Sequence, residues 1–137
     1  MKKSTNIRTG RHCVFNLHSH LVFVTKYRKM IFTKNILNEL KTIFSSVCID
    51  FEAELIEFDG EGDHVHLLVT YPPKLALSKL VNSLKGVSSR LLRKQFKSMR
   101  TDSWKGVLWS PSYFASSCGG APIDVLKQYI REQQTPA

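Results

Sequence analysis

The 137-residue chain predicts an α+β fold: a ferredoxin-like four-stranded antiparallel sheet with helices on one face, followed by a C-terminal helix. Three observations carry this reading. The periodic segments run strand, helix, strand, strand, helix, strand. A short Gly- and Asp-rich connection joins the second and third strands, as a hairpin requires. Each of the first two helical segments carries an apolar stripe on one side.

The elements follow in order. The first dozen residues are polar and predict a frayed end. CVFNLHSHLVFVTKY (13–27) is rich in β-branched and aromatic residues and reads as one long strand. In residues 34–50, Ile36, Leu37, Leu40, Ile43, Phe44 and Val47 recur at helical spacing. EAELIEFDG (52–60) reads as the second strand and GEGD leads into the third, DHVHLLVTY, which Pro72 and Pro73 end. Residues 76–97 predict the clearest helix, with Leu77, Leu80, Leu84, Val87 and Leu91 on one stripe. Gly86 weakens it by about 1 kcal/mol relative to Ala. VLWSPSYFASS (107–117) reads as an irregular fourth strand. Gly119-Gly120 breaks the chain, and residues 123–134 predict a short last helix behind Pro122. The length suits a single domain over 1–137.

The third strand poses the functional question. Its side chains alternate between faces, so Val65, Leu67 and Val69 point one way and His64 and His66 the other. The α-carbons of the two histidines lie roughly 6.5–7 Å apart, from about 3.3 Å of rise per residue. The spacing admits two readings: polar residues on a solvated face, or imidazoles converging on one metal ion. In the predicted topology this strand is central. His18 and His20 form a second such pair, read as packed or hydrogen-bonded structural histidines, and His12 as a solvated terminal residue. Asp63 adjoins His64 but alternation sends it to the opposite face, so it is not read as a ligand.

Charge narrows the partner. The net charge is +9, with a sequence pI of about 9.7, which favours a polyanion and most often nucleic acid. Seven of the eleven acidic residues lie between Asp50 and Asp63, and seven basic residues lie between Lys85 and Lys105 with only Asp102 among them. On the second helix Lys79, Arg90, Arg93, Lys94 and Lys97 gather opposite the apolar stripe. Lys85, Lys26, Arg28 and Lys29 are further candidates for DNA contact. Three widely spaced cysteines make neither a disulfide framework nor a CxxC site. No apolar run reaches membrane-span length and no signal-type segment opens the chain, which predicts a cytoplasmic protein.

VTKYRK (24–29), GDHVHLLV (62–69), LKGVSSRLLRKQF (84–96), LWSPSYF (108–114), GGAP (119–122) and KQYIREQQ (127–134) extend over nearly the whole chain. In this order they resemble the single-tyrosine TnpA transposases of the insertion-sequence 200/605 family. These belong to the HUH class, named for a His–hydrophobic–His motif. Val87 stands where some relatives carry a basic residue.

The resemblance implies roles. Tyr129, on the C-terminal helix, would be the nucleophile toward single-stranded DNA, giving a 5′-phosphotyrosine link and a free 3′-hydroxyl. His64, His66 and Gln133 would hold magnesium or manganese. Tyr129 and Gln133, at i and i+4, share one helix face. Gly119 and Gly120 would be a hinge for that helix. The partners implied are single-stranded DNA with hairpin ends and a second copy of the chain, in a homodimer that shares its active sites. Tyr27, Tyr71 and Tyr113 compete with Tyr129 as nucleophile. Two other functions remain open: a relaxase or replication initiator of the HUH class, and a non-catalytic module that stacks bases on its sheet.

Overall fold

The computed structural model describes residues 8–9, 14–99 and 107–117. The predicted last helix lies outside them. Strand β1 (Arg8–Thr9) pairs antiparallel with β2 (Val14–Phe15) in a two-residue ribbon. Arg8 anchors it: the guanidinium donates to the carbonyls of Glu52 and Thr70 and lies 5.2 Å from the centre of the Phe15 ring. Part of the polar N-terminal stretch is thus tied to the domain.

The long first strand expected over 13–27 is split. Strand β3 covers His18–Val24, and exposed Asn16 and Leu17 separate it from β2. Asn is a poor strand former, and β2 turns to a different partner. At the other end, Thr25 leaves the regular ladder and Tyr27 and Arg28 take left-handed backbone angles, φ 61° and 53°.

Helix α1 (Lys34–Asp50) has the predicted bounds. The Thr33 hydroxyl oxygen accepts from the Ile36 N–H at 3.2 Å, capping the first turn. Strands β4 (Glu54–Glu61) and β5 (His64–Thr70) form the expected hairpin, with Gly62 and Asp63 as its turn. The register shifts between Leu55 and Glu57, so Ile56 is an extra residue in β4. This bulge brings Leu55 and Phe58, three apart, to the same side.

Helix α2 spans Leu77–Gln95. Its fully buried line is Leu80, Val81, Leu84, Ser88 and Leu92, while Leu77, Val87 and Leu91 are only half-buried. The stripe is rotated from the predicted one. The cause is Trp109, whose indole N–H donates to the Ser88 hydroxyl at 3.0 Å, so a polar residue occupies a core position with its hydrogen bond satisfied. Strand β6 is only Phe114–Ser117. Pro111, with no N–H to give, delays it; upstream only Trp109 bridges to Thr25.

The sheet order is β4-β5-β3-β6 and every pairing is antiparallel. Leu21 and Phe23 of β3 and Val65, Leu67 and Val69 of β5 pack with both helices in the core. Cross-strand partners share a face. The opposite face therefore carries His20 and Val22 from β3, His64 and His66 from β5, and Glu57, Asp59 and Glu61 from β4. The histidine strand is central, as expected. Among the described residues no helix is long and apolar enough to cross a membrane.

Candidate active site

His64 and His66 are half-buried on the sheet face away from the helices. Their ring centres are 5.0 Å apart and the rings stand nearly perpendicular, at 82°. His20, on the neighbouring strand, brings a third ring 5.6 Å from His66. The i, i+2 pair on β3 thus divides. His20 joins the cluster. His18 lies at the far end of the ladder, opposite Thr70, buried, and among the described residues neither ring nitrogen has a hydrogen-bond partner. It is packed, as expected, but not hydrogen-bonded.

Asp63 is where the structure departs most from simple alternation. It sits in the hairpin turn, before β5 begins, so the strand rule does not govern its direction. Its side chain is buried. One carboxylate oxygen accepts from His64 Nδ1 at 2.8 Å and the other from Arg28 Nε at 2.9 Å. Burial pushes the Asp63 carboxyl up, but hydrogen bonds from His64 and Arg28 outweigh it and hold the group below the usual range. An ionised carboxylate can only accept, so His64 carries a proton on Nδ1, and in the neutral ring Nε2 carries the lone pair.

The turn is gripped from outside. The N–H groups of Ile31 and Phe32 both donate to the Gly62 carbonyl, at 2.8 and 2.9 Å, and the Thr25 N–H donates to the Asp63 carbonyl at 2.9 Å. The Thr25 hydroxyl adds a bond to the Lys29 carbonyl at 2.9 Å. His66 is held below the ordinary histidine range by burial first, then by repulsion from His64 and His20, with Asp59 and Glu61 opposing. Burial also lowers His20, against the pull of Glu57. Neutral imidazoles are the form that ligates metal.

The rings thus suit a shared metal ion, and among the described residues no group of three His, Cys, Asp or Glu closes on one. Tyr129, Gln133, Gly119 and Gly120 all fall outside the described residues. Of the rival tyrosines, Tyr71 and Tyr113 pack against the core and Tyr27 is exposed.

The basic candidates divide as well. Lys79, Arg90, Lys94 and Lys97 are exposed, and Arg93 is half-buried with Nε directed at the Ser89 carbonyl. Lys79 and Arg90 rim a groove of about 510 Å³ whose lining includes Asn82, Ser83 and Gly86. Lys26 is half-buried. Lys85 faces inward. Its ammonium donates to the carbonyls of Ser110 and Ser112, at 2.8 and 2.9 Å, and lies 5.6 Å from the Phe23 and Tyr113 ring centres. Burial lowers it from 10.5 to about 8.

Lys85 gives a pH prediction. Because its folded value lies below its unfolded one, the unfolded chain holds more protons between about pH 8 and 10.5. Stability carried by this group therefore rises with pH across that window and falls back as pH drops through 8. The neutral amine keeps two N–H donors for its two carbonyls. Lys85→Met should remove this contribution to the pH slope. It should also destabilise the protein at pH 7 by about 1–3 kcal/mol, through the loss of its two hydrogen bonds. Urea titrations at several pH values check both effects; parallel curves for the two proteins would refute the assignment.

The sheet carries a histidine pair with an oriented tautomer on one face and a helix with exposed cations on the other, and comparison with known proteins makes the class definite. The chain belongs to the IS200-like transposases: the family model described as "Transposase IS200 like" matches residues 13–133. It is 30% identical over 127 residues to the ISDra2 transposase TnpA of Deinococcus radiodurans, covering 93% of this chain and 91% of that one. It is 28% identical to the transposase for insertion sequence element IS200 of Salmonella typhimurium, covering 89% and 80%. A crystal structure from Deinococcus radiodurans R1, assigned as a transposase, superposes with a TM-score of 0.84 at 30% identity, covering 94% of this chain and 99% of that one. A REP-associated tyrosine transposase bound to a REP hairpin shares the fold at a TM-score of 0.56 and 12% identity, covering 90% and 67%.

Proposed function

We propose that this transposase is a metal-dependent, single-tyrosine strand transferase acting on single-stranded DNA. Its core is the ferredoxin-like sheet, and it works as a homodimer. The observation that carries the reading is the His64–His66 pair, 5.0 Å apart, with the His64 tautomer set by buried Asp63. A base-stacking module has no use for such a pair.

Tyr129 Oη attacks the scissile phosphorus as its proton leaves. The P–O3′ bond breaks, and the 3′-oxygen departs and takes up a proton. The phosphate stays on the 5′ end, now esterified to Tyr129. A second 3′-hydroxyl reverses the step, and no nucleotide triphosphate is consumed because the ester is conserved. Magnesium or manganese, held by His64, His66 and Gln133, would polarise the phosphate and stabilise the leaving oxygen. Two imidazoles and an amide suit zinc or manganese better than magnesium, whereas the family implies magnesium or manganese. Lys79, Arg90, Arg93, Lys94, Lys97, Lys26 and Arg28 would hold the backbone. Binding should then weaken with salt, with a log–log slope of about −0.7 per phosphate contact.

The test is covalent capture. The protein is incubated with each single strand of the DNA flanking its own gene, with magnesium or manganese, and resolved on a denaturing gel. An adduct on one strand, lost on chelation and mapped by mass spectrometry to the peptide holding Tyr129, is the expected result. Tight, salt-sensitive binding with no adduct would point instead to a binding protein.

Asp63 gives a sharper check. Asp63→Asn keeps the shape but can present its amide N–H₂ to His64 and lose the charge Arg28 needs. Manganese affinity measured by calorimetry should fall about 10–100-fold. Unchanged affinity would mean that the carboxylate does not orient the ligand.

A further inference from the structure

We propose that Tyr27 is a stacking platform for an unpaired base of the DNA strand whose phosphate lies at His64 and His66. The proposal rests on the function inferred above and adds a specificity contact to it. Tyr27 is 48% exposed, in a domain where Phe23, Phe44 and Trp109 are buried in the core. It lies beyond the end of β3, and among the described residues it is not one of those that pack against the core.

Its backbone is the second observation. Tyr27 and Arg28 both sit in the left-handed region, which residues with large side chains rarely adopt. Such conformations persist only where the surroundings enforce them, and they concentrate at functional positions. The enforcement is visible: Arg28 Nε binds the Asp63 carboxylate, the Arg28 N–H binds the Thr25 carbonyl at 2.9 Å, and the Lys26 N–H binds the Leu108 carbonyl at 2.9 Å. The Arg28–Asp63–His64 chain of contacts fixes the Tyr27 backbone relative to the histidine pair. An exposed ring on a rigid, strained mount is prepared for a ligand.

The chemistry around the ring selects that ligand. Lys26, Arg28 and Lys29 flank it, and the Lys26 ammonium lies 5.4 Å from the ring centre. A cation over one face leaves the other for an aromatic partner, and flanking cations favour a partner that also carries negative charge. An unpaired nucleotide offers both, and aromatic stacking tolerates any base.

The test measures binding without metal, so it does not depend on cleavage. Fluorescently labelled single strands from the DNA flanking the gene, with an abasic site walked along them, are titrated with wild type and with Tyr27→Ala, Tyr27→Phe and Tyr27→Trp. Tyr27→Ala should bind the intact strand roughly tenfold more weakly, and Phe and Trp should restore most of the affinity. At one abasic position, wild type and Tyr27→Ala should bind alike, because the base that stacks is gone. Equal affinity of wild type and Tyr27→Ala for the intact strand would overturn the platform while covalent capture still stood. Tyr27→Phe failing as badly as Ala would overturn it too, since the hydroxyl and not the ring face would matter. No binding of either strand by wild type would overturn both this proposal and the proposed function.

Discussion

With His66 replaced by Ala, covalent capture of a single strand falls at least about a hundredfold, while binding of that strand without metal stays within about threefold of wild type. The floor follows from a weaker case: losing a residue that merely orients a ligand already lowers metal affinity or activity about 10–100-fold, and His66 would be a ligand itself. Binding should survive because phosphate contacts, which supply most of the affinity, come from cations elsewhere. His66 is half-buried on the open face, so its removal opens no cavity in the main core. His64→Ala should behave alike. Mixing His64→Ala with Tyr129→Phe then reads the assembly. Return of the adduct in the mixture means that the tyrosine helix of one subunit completes the histidine site of the other. Full capture by His66→Ala alone would remove the histidine pair from the reaction.

Phe23→Ala should cost about 3–5 kcal/mol, a large part of the 5–15 kcal/mol that holds a domain of this kind together. Phe23 is wholly buried and meets Phe44, Trp109 and Tyr113 edge-on, with ring centres 5.9, 5.7 and 6.4 Å away. It therefore joins α1, the loop before β6 and the central strand at one point. Its removal leaves a cavity that these rigid rings cannot collapse to fill, and it strips an aromatic face from the Lys85 ammonium. Urea unfolding followed by circular dichroism should show a lower midpoint with an unchanged slope. Phe58→Ala, a half-buried site in contact with Phe44, serves as the control and should cost less. A smaller loss at Phe23 than at Phe58 would displace Phe23 from the centre of the core.

Much of this was readable from residue order. The bounds of α1 follow from a single apolar stripe at helical spacing. The face of His64 and His66 follows from strict alternation along β5. Asp63 departs from alternation because the strand starts one residue later than its composition predicts, and a turn residue obeys different geometry. Lys85 departs from its basic neighbours because its side chain is long enough to reach inward from the helix flank, to carbonyls that no local pattern reveals. The rotated stripe of α2 depends on Trp109, distant in sequence. At Lys85 and along α2, a contact from far along the chain overrides a local period.

The extra residue in β4 has a consequence for sequence change. Along Glu54–Glu61 the exposed positions are 54, 57, 59 and 61, so alternation fails only at the Leu55–Ile56 step. Delete Ile56, and Glu54 and Leu55 meet Glu57 and Phe58 in perfect alternation, with every remaining side chain on its present side. Delete any residue between 57 and 61, and the residues on one side of the gap exchange faces, sending carboxylates toward the core or Phe58 into water. Ile56 is thus the position in this strand where a lost codon should do least harm.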